Sequence, residues 1–306
     1  MEPFKNLLVG LDTSELDKTL IEYASFFVDH TSAEKIEFVN IVRNLHVPKG
    51  VKKEFPELVE NAIKDRKNKL KEAINAHFHP EKKIKVGITV KKGQAGDLLH
   101  TANKFDADLI IIGKKKTLDG TGVTTMRLAR RASCNLLIIP EGAKPKADKV
   151  LVPIDFSNYS KLALEQTIDF AVKNGSIPEI VCQNVYMVPA GYHYTGKTYE
   201  EFAEIMKKNA KEDYAKFMKK IDPRGIKITA EYSLDTNDNL ASDIYDFAEK
   251  INPDFVIIGA KGRTAAAAIF LGSLAEKMVN ENMNHPLLVV RFKGKNAGLF
   301  ESLREI

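Results

Sequence analysis

The sequence has no tryptophan, only two cysteines, no apolar run of membrane-spanning length and no dense stripe of one charge sign. Each absence removes a class of protein. Cys134 and Cys182 lie far apart with no CxxC pairing, so two buried thiols in a reducing, cytoplasmic setting are expected, and neither a disulfide framework nor a zinc site. Without a stretch of ~18 apolar residues, no transmembrane helix is expected. The opening MEPFKNLLVGLDTSE has a short apolar run and no cleavage pattern, so it does not read as a secretory signal. The formal charge of +5 is mild for 306 residues, and lysines alternate with glutamates, which does not favour nucleic acid as a partner.

The common catalytic signatures are missing too. The seven histidines are scattered without HExxH spacing, and neither a GxSxG elbow nor a GxxxxGK[ST] loop occurs. His77 and His79, just before Pro80, read as caps on the end of a helix rather than as metal ligands. No catalytic residue is assigned.

What the chain does contain is itself twice. LLVGLDTS (7–14) aligns with VLVPIDFS (150–157), ADLIIIGKKK (107–116) with PDFVIIGAKG (253–262), and LLIIP (136–140) with LLVVR (287–291). The offset grows from 143 to 146 to 151 residues, so the halves differ by small insertions. Two domains are expected, 1–143 and 148–306, around a polar linker, EGAKPKAD, that carries Gly142 and Pro145.

Within each half the periodicity alternates. Short aliphatic runs at 7–11, 109–112, 150–154 and 255–258 read as strands buried on both faces, the pattern of a parallel sheet. Further strands are expected at 35–42, 84–91, 179–186 and 227–233. Amphipathic helices are expected at 18–28, 56–78, 96–104, 160–173, 200–221 and 241–250. The fold class is therefore α/β, with two tandem doubly wound, Rossmann-like parallel-sheet domains.

In such sheets a ligand sits beyond the carboxyl ends of the strands, which directs attention to Asp155, to Val185 and Tyr186, and to Gly259. GAKGRTAAAAIFLGS (259–273) follows a strand. Gly259 and Gly262 let the backbone turn sharply, and Gly272-Ser273 opens a helix whose first N–H groups suit an anion. A plain turn with a helix cap explains the same glycines. Asp155 and Ser157 likewise read either as ligand contacts or as turn and cap residues.

GxxG followed by nine residues and GS resembles the phosphate-binding pattern of the ATP-binding class of universal stress proteins. VLVPIDFS, NVY (184–186) and HPLLVV (285–290) are similar to that family's first strand, second-strand end and closing strand. The resemblance covers nearly the whole chain as a tandem pair. It implies an ATP-binding protein of stress response, with Asp155 near the ribose, the Val185 backbone on the adenine edge and Pro153 walling the base. Gly259, Gly262, Gly272, Ser273 and the Leu274 backbone would hold the phosphates, with Arg263 or Lys261 in support and Mg²⁺ or Mn²⁺ bridging phosphate oxygens. Slow nucleotide hydrolysis and a scaffold without nucleotide are the alternatives. The resemblance also implies pairing of the two halves, through LLIIP and LLVVR, or a homodimer; no protein partner is identified.

The first half departs from the pattern. Asp12, Thr13, Ser14 and Gly113 are kept, but Lys116 stands where Gly262 stands, and Gly120 and Gly122 do not reproduce the GS spacing. This half is expected to be degenerate for ATP, with Lys114, Lys115 and Lys116 either an anion site or a solvated loop. The excursion YHYTGKTYEE (192–201) reads as an exposed loop, or as a cover over the ligand.

Overall fold

The computed structural model describes residues 4–43, 48–94, 96–115, 121–174, 178–263, 271–281 and 284–293, with backbone alone for Lys52, residues 121–124 and Asn174. Its contacts divide the chain into two units. The first ends at Pro145 and also takes Lys293; the second spans Lys146–Phe292.

In the first unit, Leu7, Leu8 and Val9 are fully buried, as are Leu109, Ile110 and Ile111, which is why these runs form central strands. β1 (Asn6–Leu11) pairs in parallel with β2 (Lys35–Val42) on one side and with β4 (Leu109–Lys114) on the other. β3 (Lys85–Lys92) lies beyond β2, and β5 (Asn135–Pro140) beyond β4, giving the order β3-β2-β1-β4-β5.

The second unit repeats this arrangement. β6 (Lys149–Pro153) lies between β7 (Glu179–Tyr186) and β9 (Phe255–Gly259), flanked by β8 (Ile228–Leu234) and β10 (Leu287–Val290), in the order β10-β9-β6-β7-β8. All these pairings are parallel. In both units the chain winds one way from the central strand and then the other, so the switch point falls between β1 and β4, and between β6 and β9.

Helices cover the sheets where their apolar faces require it. α1 (Leu16–Asp29) buries Leu20, Ile21, Tyr23, Ala24, Phe27 and Val28 at helical spacing. α2 is Lys49–Glu54, α3 Leu58–His77, α4 Gly96–Phe105, α5 Thr121–Arg131 and α6 Asn158–Asn174. α7 (Tyr199–Met218) starts at a capping box in which Thr198 and Glu201 bond each other's backbone N–H. α8 (Leu240–Ile251) and α9 (Ser273–Asn280) complete the second unit.

Two helices lie outside the sequence-based expectation. α2 is too short and polar to show an apolar face. α5 opens on a Gly- and Thr-rich stretch that reads as a loop, yet Met126, Leu128 and Ala129 on it are buried. The YHYTGKTYEE segment holds a 3₁₀ turn, Tyr192–Thr195, with Tyr194 87% exposed.

Both cysteines are free and buried. The His79 ring lies 3.0 Å from the carbonyl oxygen of Ala76 at the end of α3, as a capping role requires. Among the described residues no helix is long and apolar enough to cross a membrane.

Candidate functional site

Gly259, Asp155 and Val185 stand at the carboxyl ends of three neighbouring parallel strands, β9, β6 and β7. Pro153 is the last residue of β6 and is buried. Beyond it the Ile154 N–H still donates to the Gln183 carbonyl at 2.8 Å, and the buried Asn184 amide donates to the Ile154 carbonyl at 2.8 Å. Asp155 is thus the first residue released from the sheet. Phe156 then turns the chain with φ of 64°, a left-handed conformation that costs a non-glycine residue about 1–3 kcal/mol.

Both oxygens of the Asp155 carboxylate accept hydrogen bonds. Oδ1 accepts from the Ser157 N–H at 3.1 Å and from the Ser160 hydroxyl, while the Asp155 N–H donates to Ser160 Oγ at 3.0 Å. Ser157 Oγ accepts the Ser160 N–H at 3.2 Å and so caps α6. Ser157 is therefore the cap and Asp155 a turn residue.

Oδ2 of Asp155 reaches the other half of the motif, accepting the Arg263 backbone N–H at 2.9 Å. A Cβ on Gly262 would lie 2.8 Å from that same oxygen, so only glycine lets the turn approach so closely. The Gly272 N–H donates to the Ala260 carbonyl at 2.8 Å, and a Cβ there would meet the Lys261 Cα at 3.3 Å. This contact holds the start of α9 against the turn after β9. Gly272 is the N-cap, and the Glu276 N–H is the first to bond back, to the Gly272 carbonyl at 2.9 Å. The amides of Ser273, Leu274 and Ala275 have no acceptor within the helix and carry the positive end of its dipole.

Gly259 has a different neighbour: its added Cβ would lie 2.7 Å from the Tyr159 Cβ and 2.8 Å from the Tyr159 backbone carbon. The close approach it permits is that of α6. Two buried cations flank the turn, Lys261 on it and Arg291 after β10. Burial, reinforced by the Arg291 charge, lowers the Lys261 ammonium from its ordinary range. The Lys261 Nζ lies 6.0 Å from the centre of the Tyr159 ring. Val185 is half-buried near the end of β7, in register with Ser233 of β8. The alanine run at 264–270 lies outside the described residues.

Sequence reasoning did not assign Ser160, Tyr159 or Arg291 to this place. The available signal was the repeat itself, because Ser160 aligns with Asp17.

In the first unit the same scaffold closes on itself. Asn40 donates to the Leu11 carbonyl at 2.8 Å, as Asn184 does to Ile154, and Thr13 repeats the φ of 64°. The Asp12 carboxylate, however, is met by the Lys115 ammonium at 2.7 Å rather than by a backbone N–H of a glycine turn. Burial works to raise the Asp12 carboxyl, but Lys115 and Ser14 outweigh it and hold it below the usual range. Asp17 accepts the N–H groups of Asp12 at 3.0 Å and Thr13 at 2.8 Å. It is 5% exposed, and burial pushes its carboxyl up to about 6. Lys115 therefore serves an internal carboxylate. Lys116 and Gly120 lie outside the described residues, and Gly122 falls in the first turn of α5.

Comparison with known proteins agrees with this duplicated architecture. The profile of the universal stress protein family matches twice, at residues 3–140 and 146–291. A universal stress protein of Methanocaldococcus jannaschii is 30% identical over 147 residues, which cover 47% of this chain and 81% of that one. A second from the same organism is 26% identical over 158 residues, covering 47% and 95%. Among solved structures, a universal stress protein from Archaeoglobus fulgidus superposes with a TM-score of 0.64 at 17% identity, covering 94% of this chain and 97% of its own. A protein of unknown function from Pseudomonas aeruginosa gives 0.63 at 14% identity, covering 99% and 98%. With the family profile matched by each half and the same strand order built twice, the chain belongs to the universal stress protein family as a tandem protein.

Proposed function

We propose that the second unit binds ATP and that the protein acts in stress response through the difference between its loaded and empty states. The observation that carries this reading is the hydrogen bond from the Arg263 N–H to Asp155, which joins the two parts of the motif beyond adjacent strands. Asp155 faces the ribose, Pro153 walls the base and the Val185 backbone meets the adenine edge. The phosphates lie against Gly259, Gly262, Gly272, Ser273 and the Leu274 N–H. Arg263 and the buried Lys261 add positive charge there.

The fit with an anion rests on the structure's own features. The α9 N-terminus presents amides with no acceptor within the helix, and two buried cations, Lys261 on the adjoining turn and Arg291 after β10, flank that turn. A Cβ at Gly262 or Gly272 would fill the approach between the Asp155 turn and α9. Among the described residues no group of three or more His, Cys, Asp or Glu is arranged to hold a metal. Mg²⁺ or Mn²⁺ would accompany the nucleotide and neutralise part of its phosphate charge. The first unit, whose Asp12 is paired with Lys115, binds no ATP in this manner.

Denaturing freshly purified protein and identifying any released nucleotide by chromatography and mass tests the reading. About one ATP per chain is expected, lost in a Gly262→Val, Gly272→Val variant, with a nucleotide-dependent rise in melting temperature. No nucleotide, even after soaking with ATP and Mg²⁺, would leave a scaffold that works by contacts alone.

A further inference from the structure

The carboxyl end of β8 gathers oxygen acceptors that the nucleotide site does not use. Asp235 directly follows β8 and stands two residues beyond Ser233, on the same face of the sheet. From neighbouring β7, Gln183 donates through Nε2 to Ser233 Oγ at 3.0 Å and to the Asp243 carbonyl oxygen at 3.3 Å. Because a carbonyl only accepts, these bonds orient the amide and leave Oε1 as an acceptor. Asp243 lies in the first turn of α8, with its carboxyl beside that of Asp235. Asp235 Oδ1 accepts the N–H groups of Asn237 at 3.1 Å and Asn239 at 3.2 Å.

Four oxygens are then left over. Gln183 Oε1, Asp235 Oδ2, Asn239 Oδ1 and Asp243 Oδ2 are buried and have no hydrogen-bond donor among the described residues. Gln183 is only 1% exposed and Asp235 5%. Such acceptors lose their hydration with nothing in return. Among the described residues no lysine, arginine or histidine forms an ion pair with Asp235 or Asp243. The first unit lacks the arrangement: Gly93 occupies the place of Asp235, and Asp97, which aligns with Asp243, accepts the Gln94 N–H at 2.6 Å.

We propose that Gln183, Asp235, Asn239 and Asp243 form a site for a hard divalent cation, with calcium the preferred ion. A proton shared by the two carboxyls would satisfy their mutual contact and leave both amide oxygens without a partner. A cation accepts electron density from all four, and two carboxylates balance its two charges. Oxygen-only donors select calcium or magnesium over softer metals. Withdrawal of these oxygens from water favours calcium, because magnesium gives up its hydration shell reluctantly.

The test uses the full chain, stripped with EDTA, free of nucleotide and titrated with calcium chloride by calorimetry near neutral pH. One calcium per chain is expected, with a raised melting midpoint. Affinity falls at least about tenfold in Asp235→Asn and Asp243→Asn. It is retained in Gly272→Val, which separates this site from the phosphate clamp. Absence of both heat and melting shift in the unsubstituted chain overturns the proposal, whether or not the variants fold. So does calcium binding that survives both substitutions in folded protein.

Discussion

The backbone N–H of Arg263 donates to the carboxylate of Asp155 at 2.9 Å, across 108 residues of sequence. One oxygen thereby joins the end of β6 to the turn after β9, while the other holds the start of α6 through Ser157 and Ser160. Replacing Asp155 by alanine removes the acceptor for all three donors. A loss of about 1–3 kcal/mol in the stability of the second unit is expected, as for hydrogen bonds to a charged acceptor. Hydrogen exchange at the Arg263 amide should accelerate with it. Unchanged exchange at that amide would mean the carboxylate does not hold the turn.

Gly259 and Gly113 occupy equivalent places, yet alanine should behave differently at each. A Cβ at Gly259 runs into the Tyr159 Cβ and backbone at 2.7 and 2.8 Å, whereas at Gly113 it overlaps the Leu16 side chain. Both single substitutions should destabilise by about 1–3 kcal/mol through overpacking. Leu16→Ala should restore much of the loss in the Gly113→Ala chain. Tyr159→Ala should not rescue Gly259→Ala, because alanine keeps the clashing Cβ and backbone. Urea unfolding of the two double variants decides it.

The Asp17 carboxyl, raised by burial from 3.8 to about 6, gives the first unit a pH dependence of known sign. The folded form binds the proton more tightly than the unfolded chain, so this group's contribution to stability falls as pH rises through the window from about 4 to about 6. The change is up to about 3 kcal/mol. Asp17→Asn should flatten that segment of the stability curve, measured as unfolding midpoints across the window. An unaltered slope would assign the dependence to other carboxyls.

The two thiols offer one reporter for each unit. Cys134 is 2% exposed and Cys182 0%, and burial pushes the Cys182 thiol up to about 12. Neither should react with an aromatic disulfide reagent in the native protein, since the thiolate is the reactive form. Both should become reactive on unfolding, and single-cysteine variants should then time the opening of each unit separately. Rapid native labelling of Cys182 would contradict its burial against Tyr214.

Much of the fold was legible because apolar periodicity and repetition are local properties. The runs 7–11 and 109–112 announce strands buried on both faces, and the doubled LDTS and PIDFS segments announce two like domains. α5 was hidden because its glycine and threonines weaken helix propensity, and only the burial of Met126, Leu128 and Ala129 against the first unit compensates. The glycines after β9 stood out in the sequence, but not their separate neighbours: Tyr159 at Gly259, the Asp155 carboxylate at Gly262 and the Lys261 backbone at Gly272.

By itself, then, the sequence determined the two α/β units, their strands and the strand-end positions of Asp155, Val185 and Gly259, because periodicity and chain order suffice for these. Only the tertiary structure decided how the carboxylates are used. Asp155 and Asp12 follow equivalent strands, but one holds a glycine turn through a backbone N–H and the other a lysine ammonium. Asp235 after β8 and Asp243 in the first turn of α8 likewise leave carboxylate oxygens buried without a donor, which the sequence does not reveal. The partners that set Asp155 and Asp12 apart, the Arg263 N–H and the Lys115 ammonium, are distant in sequence, so only folding brings them within hydrogen-bond reach.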